Sequence, residues 1–168
     1  DAFGPKLVRP GGRIVNIASA SGPIFVSKCS DQTFKAQLTD PLNNIAGGIQ
    51  QLDQIAESKS TPSADADDDD NNPYGLSKAL LNAYTVLHAK EEPDLIINSC
   101  TPGFIDTSMT AGMGASNPPI KGAEPPVFLL TDDEIATKIP TGRYYGSDCI
   151  RSPLFTYRGP GDPAYEGP

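Results

Sequence analysis

The strongest constraint in this 168-residue chain is a helix held between two β-branched runs. Gly11 to Ser19 reads GGRIVNIAS, a turn signal followed by Ile14, Val15 and Ile17. A near-continuous apolar run of this kind predicts a strand buried on both faces. Pro73 to Lys90 predicts a helix: Asn71 or Asn72 can cap it, Pro73 suits a first turn whose N–H is unpaired anyway, and Pro93 ends it. LIINSCTPG then gives a second strand that runs into a Pro-Gly turn. A short helix over Gly122 to Leu130 and a short strand at Arg143 to Tyr145 follow, ahead of a Pro/Gly-rich tail from Ile150 to Pro168. Strands and helices in this alternation predict an α/β fold built on a mostly parallel sheet.

Between the first strand and the long helix the pattern is weaker. Ile45, Ile49, Leu52 and Ile55 recur at helical spacing. Thr61 to Asn72 is a low-complexity acidic linker containing Asp65, Asp67, Asp68, Asp69 and Asp70. These five account for much of the formal charge of −8, a sign that repels phosphate backbones and argues against a nucleic-acid partner. No run approaches the roughly 18 apolar residues a membrane span needs. Cys29, Cys100 and Cys149 are odd in number, with no CxxC pair, and read as free thiols in a reducing, cytoplasmic setting.

Tyr74 and Lys78 stand four apart on the predicted helix, so their side chains share a face. Leu76, Leu80, Ala83 and Leu87 lie on the opposite side of the wheel. That arrangement predicts that the apolar face seats the helix on the sheet while Tyr74 and Lys78 point away from it. An ammonium beside a phenol favours the phenolate, and such a Tyr can exchange a proton with a carbonyl or alcohol oxygen. Ser19, at the carboxyl end of the first strand, could donate a hydrogen bond to the same oxygen, at the place where open α/β sheets bind ligands. Y-x-x-x-K by itself is a weak signal that occurs by chance, and spacing alone fits a buried Tyr, a surface Lys and a turn Ser better.

Three motifs in order narrow the choice: GRIVNIASASG, then YGLSK, then PGFIDTSM, each at a strand end or a helix start. Together they resemble the C-terminal half of a short-chain dehydrogenase/reductase. The long segment between Ser19 and Tyr74 is similar to the insertion of the monomeric carbonyl-reductase group, and GAEPPVFLL resembles that group's final helix. The resemblance implies a Rossmann-type α/β domain present only as its C-terminal half. Residues 27–72 would be a helical insertion with the acidic linker, and 150–168 a C-terminal tail.

The activity it implies is NADPH-dependent reduction of a ketone or aldehyde to an alcohol by a cytoplasmic monomer acting on a small molecule, with NAD left open. Ser19 would polarise the carbonyl and Tyr74 deliver the proton. Lys78 would favour proton release from Tyr74 and hold the nicotinamide ribose, and Tyr74 would itself also contact the cofactor. Pro102, Gly103, Ile105 and Thr107 would form the turn that contacts the nicotinamide carboxamide, Ile105 through its backbone and Thr107 through its hydroxyl. Asn16 matches a structural strand Asn, and Ala18 stands where a second Ser is common.

The family's glycine-rich phosphate turn, T-G-x-x-x-G-x-G, does not occur in this sequence. Gly112-Met113-Gly114 and Gly159-Pro160-Gly161 follow the wrong elements and read as loop punctuation. The chain is therefore expected to be part of a larger reductase. The alternative is a truncated, catalytically incompetent remnant or a non-enzymatic interaction module.

Other chemistries fare worse. A serine hydrolase would need Ser77 and His88 together, yet they lie eleven residues apart on one helix, about 16 Å. A calcium loop counted from Asp65 puts Asp70 where Gly is required and Leu76 where Glu is required, so no metal site is expected. Ile24, Phe25 and Met113 read equally as an apolar pocket wall or as packing, and Thr107 to Pro119 as a lid or a surface loop.

Overall fold

A computed structural model describes residues 4–60, 72–132 and 141–167. The acidic segment 61–71 lies outside these described residues. Four strands form one sheet in the order β1 (Gly12–Ile17), β2 (Leu95–Cys100), β3 (Tyr144–Tyr145), β4 (Arg151–Ser152). β1 and β2 run parallel, with Gly12 opposite Leu95 and Ile17 opposite Cys100. β3 is parallel to β2, and only the short β4 is antiparallel. The sheet is thus mostly parallel and the class α/β.

The expectation that β1 is buried on both faces fails. Gly12 to Asn16 are half-buried and Ile17 is exposed. The reason is position: among the described residues β1 is the edge strand, with a sheet neighbour on one side of its backbone only. β2, flanked on both sides, is buried along almost its whole length.

The long helix α5 (Pro73–Glu91) starts as its sequence predicts, with the Asn72 side chain accepting a hydrogen bond from the Gly75 N–H and Pro73 in the first turn. Its packing is not as expected. Leu76, Ala79, Ala83 and Leu87 do not face the sheet; they pack on Phe25 and Val26 of α1 (Ser21–Lys28), Phe34 and Leu38 of α2 (Gln32–Thr39), and Leu52 of α4 (Gly48–Lys59). Toward the sheet α5 turns a narrow stripe of small and polar residues. Asn82 bonds Ser99 at 2.8 Å, Thr85 receives the Asn16 amide at 2.9 Å, and Ala89 packs with Leu95 and Ile97. A helix covered on two sides has two buried arcs, and the wheel alone shows only the greasier one.

The segment between α1 and α5 is more helical than its spacing indicated. α2, the single turn α3 (Pro41–Asn44) and α4 fill it, and Ile45 is buried just ahead of α4 rather than in it. Asp31 caps α2 through the Phe34 N–H and pairs with Lys59 at 2.9 Å, tying the two ends of the insertion together. From α5, Glu91 reaches the Ile49 N–H at the start of α4.

On the other face of the sheet α6 (Pro119–Thr131) sets Leu129 and Phe128 against Val15, Ile96, Cys100 and Tyr145. Arg13 donates to the carbonyls of Leu129 and Asp132, placing a cation at the negative end of α6. The tail carries structure that its composition did not reveal: buried Arg158 clamps Asp148 with two hydrogen bonds, of 3.0 and 2.8 Å, and also donates to the carbonyls of Asp162 and Pro163.

Candidate active site

The carboxyl end of β1 and the first turns of α5 converge. Ser19 lies two residues beyond the end of β1, and α1 begins two residues later. α1 lies tightly along α5: a Cβ on Gly22 would come within 3.0 Å of the Lys78 backbone, and one on Gly75 within 3.0 Å of the Phe25 Cβ. Small residues at both crossing points let the Ser19 segment and the Tyr74 turn approach.

Within this crossing, Lys78 Nζ donates to the Ile17 carbonyl at 2.9 Å and sits 5.7 Å from the centre of the Tyr74 ring. Tyr74 is 49% exposed, so its phenol is open to a ligand. Ser19 is half-buried, and its Oγ lies 3.2 Å from the Ser21 N–H and 3.3 Å from the Ser21 Oγ. Burial pushes the phenols of Tyr84, Tyr144 and Tyr145 above their ordinary range, the reverse of what a proton donor near neutral pH needs. The cysteines are no better as nucleophiles, since burial pushes the Cys100 thiol up to about 12 and raises that of Cys149.

After β2 the chain turns at Pro102 and Gly103. Gly103 has a φ of +89°, and a Cβ there would fall 2.9 Å from the Ser147 side chain; only glycine takes this turn without strain. Its N–H is held by buried Thr101. Ile105 is half-buried and bridges Asn117, so the base of the loop that follows is pinned. Thr107 is exposed and engaged in a capping box with Thr110, so its hydroxyl bonds within its own loop.

Among the residues left open by sequence, Phe25 belongs to the core, whereas Ile24 and Met113 are exposed. Ser77 is exposed and bonds the Tyr74 carbonyl, and His88 stacks on Tyr84 farther along α5, so no Ser–His pair forms. Asn82, Thr85 and Ser99 were not singled out from the sequence. Their signal was present, because residues 74, 78, 82 and 85 follow one helical stripe.

No family model matches the chain. It is 28% identical over 132 residues to carbonyl reductase [NADPH] 1 of Macaca fascicularis, covering 73% of this chain and 46% of that protein. Against the Homo sapiens counterpart the identity is 26% over the same coverage. The chain thus spans about half the length of the curated relatives it matches. Its fold is similar to salutaridine reductase from Papaver somniferum, with a TM-score of 0.59 at 25% identity over 81% of this chain and 45% of that one. It is also similar to menthone neomenthol reductase from Mentha piperita, with a TM-score of 0.60 at 22% identity over 87% and 45%. Likeness in sequence and likeness in backbone point the same way: over most of its length the chain is similar to about half of a reductase of this kind, as expected for part of a short-chain dehydrogenase/reductase.

Proposed function

We propose that the protein reduces the carbonyl of a small ketone or aldehyde to an alcohol with NADPH, and that residues 12–145 are the catalytic part of its Rossmann-type domain. The observation that carries this reading is the Lys78 ammonium lodged between the Ile17 carbonyl and the Tyr74 ring. That lodging fixes the lysine beside the one tyrosine of α5 that opens to solvent at the strand end.

When bound, the nicotinamide group supplies a hydride to the carbonyl carbon. The chain's own residues do the rest. Ser19 Oγ donates a hydrogen bond to the carbonyl oxygen and Tyr74 delivers a proton to it as charge develops there. Lys78 has three N–H donors and spends one on Ile17; the remaining two suit a pair of ribose hydroxyls. Pro102, Gly103, Ile105 and Thr107 edge the nicotinamide end, for which Thr107 would exchange its bond to Thr110. The residues present therefore fit that end of the cofactor. The preference for NADPH rests on the carbonyl-reductase relatives. The pyrophosphate would be held by a glycine-rich turn not found in this sequence, on strands that pair with the open edge of β1. A cytoplasmic setting rests on the three cysteines, none of them in a disulfide; among the described residues no helix is long and apolar enough to cross a membrane. The insertion layered on α5 is in keeping with a monomer.

The test is NADPH oxidation by the intact protein against a panel of ketones and aldehydes. Turnover is expected in the wild type, and Tyr74→Phe should lower kcat by roughly 10²–10⁴-fold while cofactor affinity stays unchanged. Absence of turnover across the panel, or a Tyr74→Phe variant near the normal rate, would overturn the reading.

A further inference from the structure

We infer that Ser21 is a positioning residue for Ser19: its backbone N–H and its hydroxyl together hold the Ser19 Oγ and set the direction in which that hydroxyl donates. This rests on the proposed reductase chemistry and adds a residue to it.

The geometry is local and specific. Ser21 opens α1, where the first backbone N–H groups have no partner inside the helix. Ala20, the residue before it, has no side chain able to cap. Ser19 takes that part from one residue further back, its Oγ accepting from the Ser21 N–H at 3.2 Å. The same Oγ lies 3.3 Å from the Ser21 Oγ. Both serines are half-buried, so the pair is partly ordered by its surroundings and still reachable from solvent.

A serine hydroxyl has one hydrogen and two acceptor sites. With no carbonyl in place, Ser19 donates that hydrogen to Ser21. When a carbonyl oxygen arrives, the Ser19 hydrogen must turn to it. Ser21, both donor and acceptor, can then reverse and donate back. Both acceptor sites of Ser19 are thereby filled, one by the Ser21 N–H and one by the Ser21 O–H, leaving the substrate oxygen as the remaining direction for its hydrogen. An O–H donating to a second O–H that itself donates is also a polarised chain, in which the terminal donor is strengthened. Because the charge on the carbonyl oxygen grows toward the transition state, this strengthening acts on kcat more than on binding.

The experiment uses the intact protein, with wild type, Tyr74→Phe, Ser21→Ala and Ser21→Thr compared by kcat, KM for the carbonyl, cofactor affinity and thermal midpoint. Ser21→Ala keeps the backbone N–H and loses only the hydroxyl. It should lower kcat about five- to ten-fold, the worth of one hydrogen bond, with KM, cofactor affinity and midpoint unchanged. Ser21→Thr, which restores a hydroxyl, should recover most of that rate. A merely structural role would move the midpoint and would not separate kcat from KM. If Tyr74→Phe is inactive while Ser21→Ala turns over normally, or Ser21→Thr is as slow as Ser21→Ala, the assignment of Ser21 is overturned and the reductase reading stands. A Tyr74→Phe variant with normal turnover, or an inactive wild type, removes both.

Discussion

Lys78 donates a 2.9 Å hydrogen bond to the carbonyl oxygen of Ile17, the last residue of β1. The bond joins the helix that carries Tyr74 to the strand that leads into Ser19. It also fixes where the ammonium can sit, 5.7 Å from the Tyr74 ring centre. Lys78→Met should therefore act twice. In the intact protein kcat falls by roughly 10²–10⁴-fold, and cofactor affinity weakens because the ribose loses its donor. Fluorescence titration with NADPH separates the two effects, since Tyr74→Phe should leave affinity alone. An unchanged Kd in Lys78→Met would remove the ribose role and leave only the one at Tyr74.

The orientation of α5 on the sheet is set by buried polar pairs. Asn82 is 2% exposed and Ser99 1%, and their 2.8 Å bond crosses from helix to strand. Removing either partner leaves the other buried without it, a cost of about 1–3 kcal/mol. Urea unfolding of Ser99→Ala, Asn82→Ala and the double variant should give a double loss smaller than the sum of the singles. Strict additivity would show that the two side chains do not interact.

The clamp on the tail is sensitive to acid. The Arg158 hydrogen bonds hold the Asp148 carboxyl below its ordinary value of 3.8, against the opposing effect of burial. A depressed carboxylate contributes stability that is present above the unfolded-state value and lost as pH falls through the folded one. That stability is therefore intact at neutral pH and begins to be lost below about pH 4. Asp148→Asn should cost about 3 kcal/mol at pH 7, since it leaves buried Arg158 without its counter-charge. It should also show less acid destabilisation than wild type when unfolding is followed from pH 5 to pH 3. Parallel curves for the two proteins would show that Asp148 does not supply the acid sensitivity.

Not every element could be read in advance, and the reasons differ. Phe25 is apolar whether it lines a pocket or fills a core, and only its neighbours Phe34 and Leu76 decide for the core. Arg158 sits in a Pro/Gly-rich tail that looks like coil, because its partner Asp148 stands ten residues back at no helix or strand spacing and the clamp exists only once this segment has folded back on itself. The turn after β2 is a mixed case: Pro102-Gly103 announced itself, but the bond between Thr107 and Thr110 depends on loop geometry.

Local chemistry determined the elements themselves. β-branched runs made β1 and β2, Asn72 and Pro73 started α5, and the four-residue spacing put Tyr74 and Lys78 on one face. These follow from short-range sterics and capping, which the sequence carries wherever the segment sits. Tertiary structure decided the partners. It placed the leucine face of α5 against the insertion helices, turned the polar stripe of Asn82 and Thr85 toward the sheet, and put β1 at the edge. A helix wheel ranks faces by hydrophobicity but does not say which neighbour each face meets. That is settled by which surfaces can be buried together, and burial is a property of the whole packed chain.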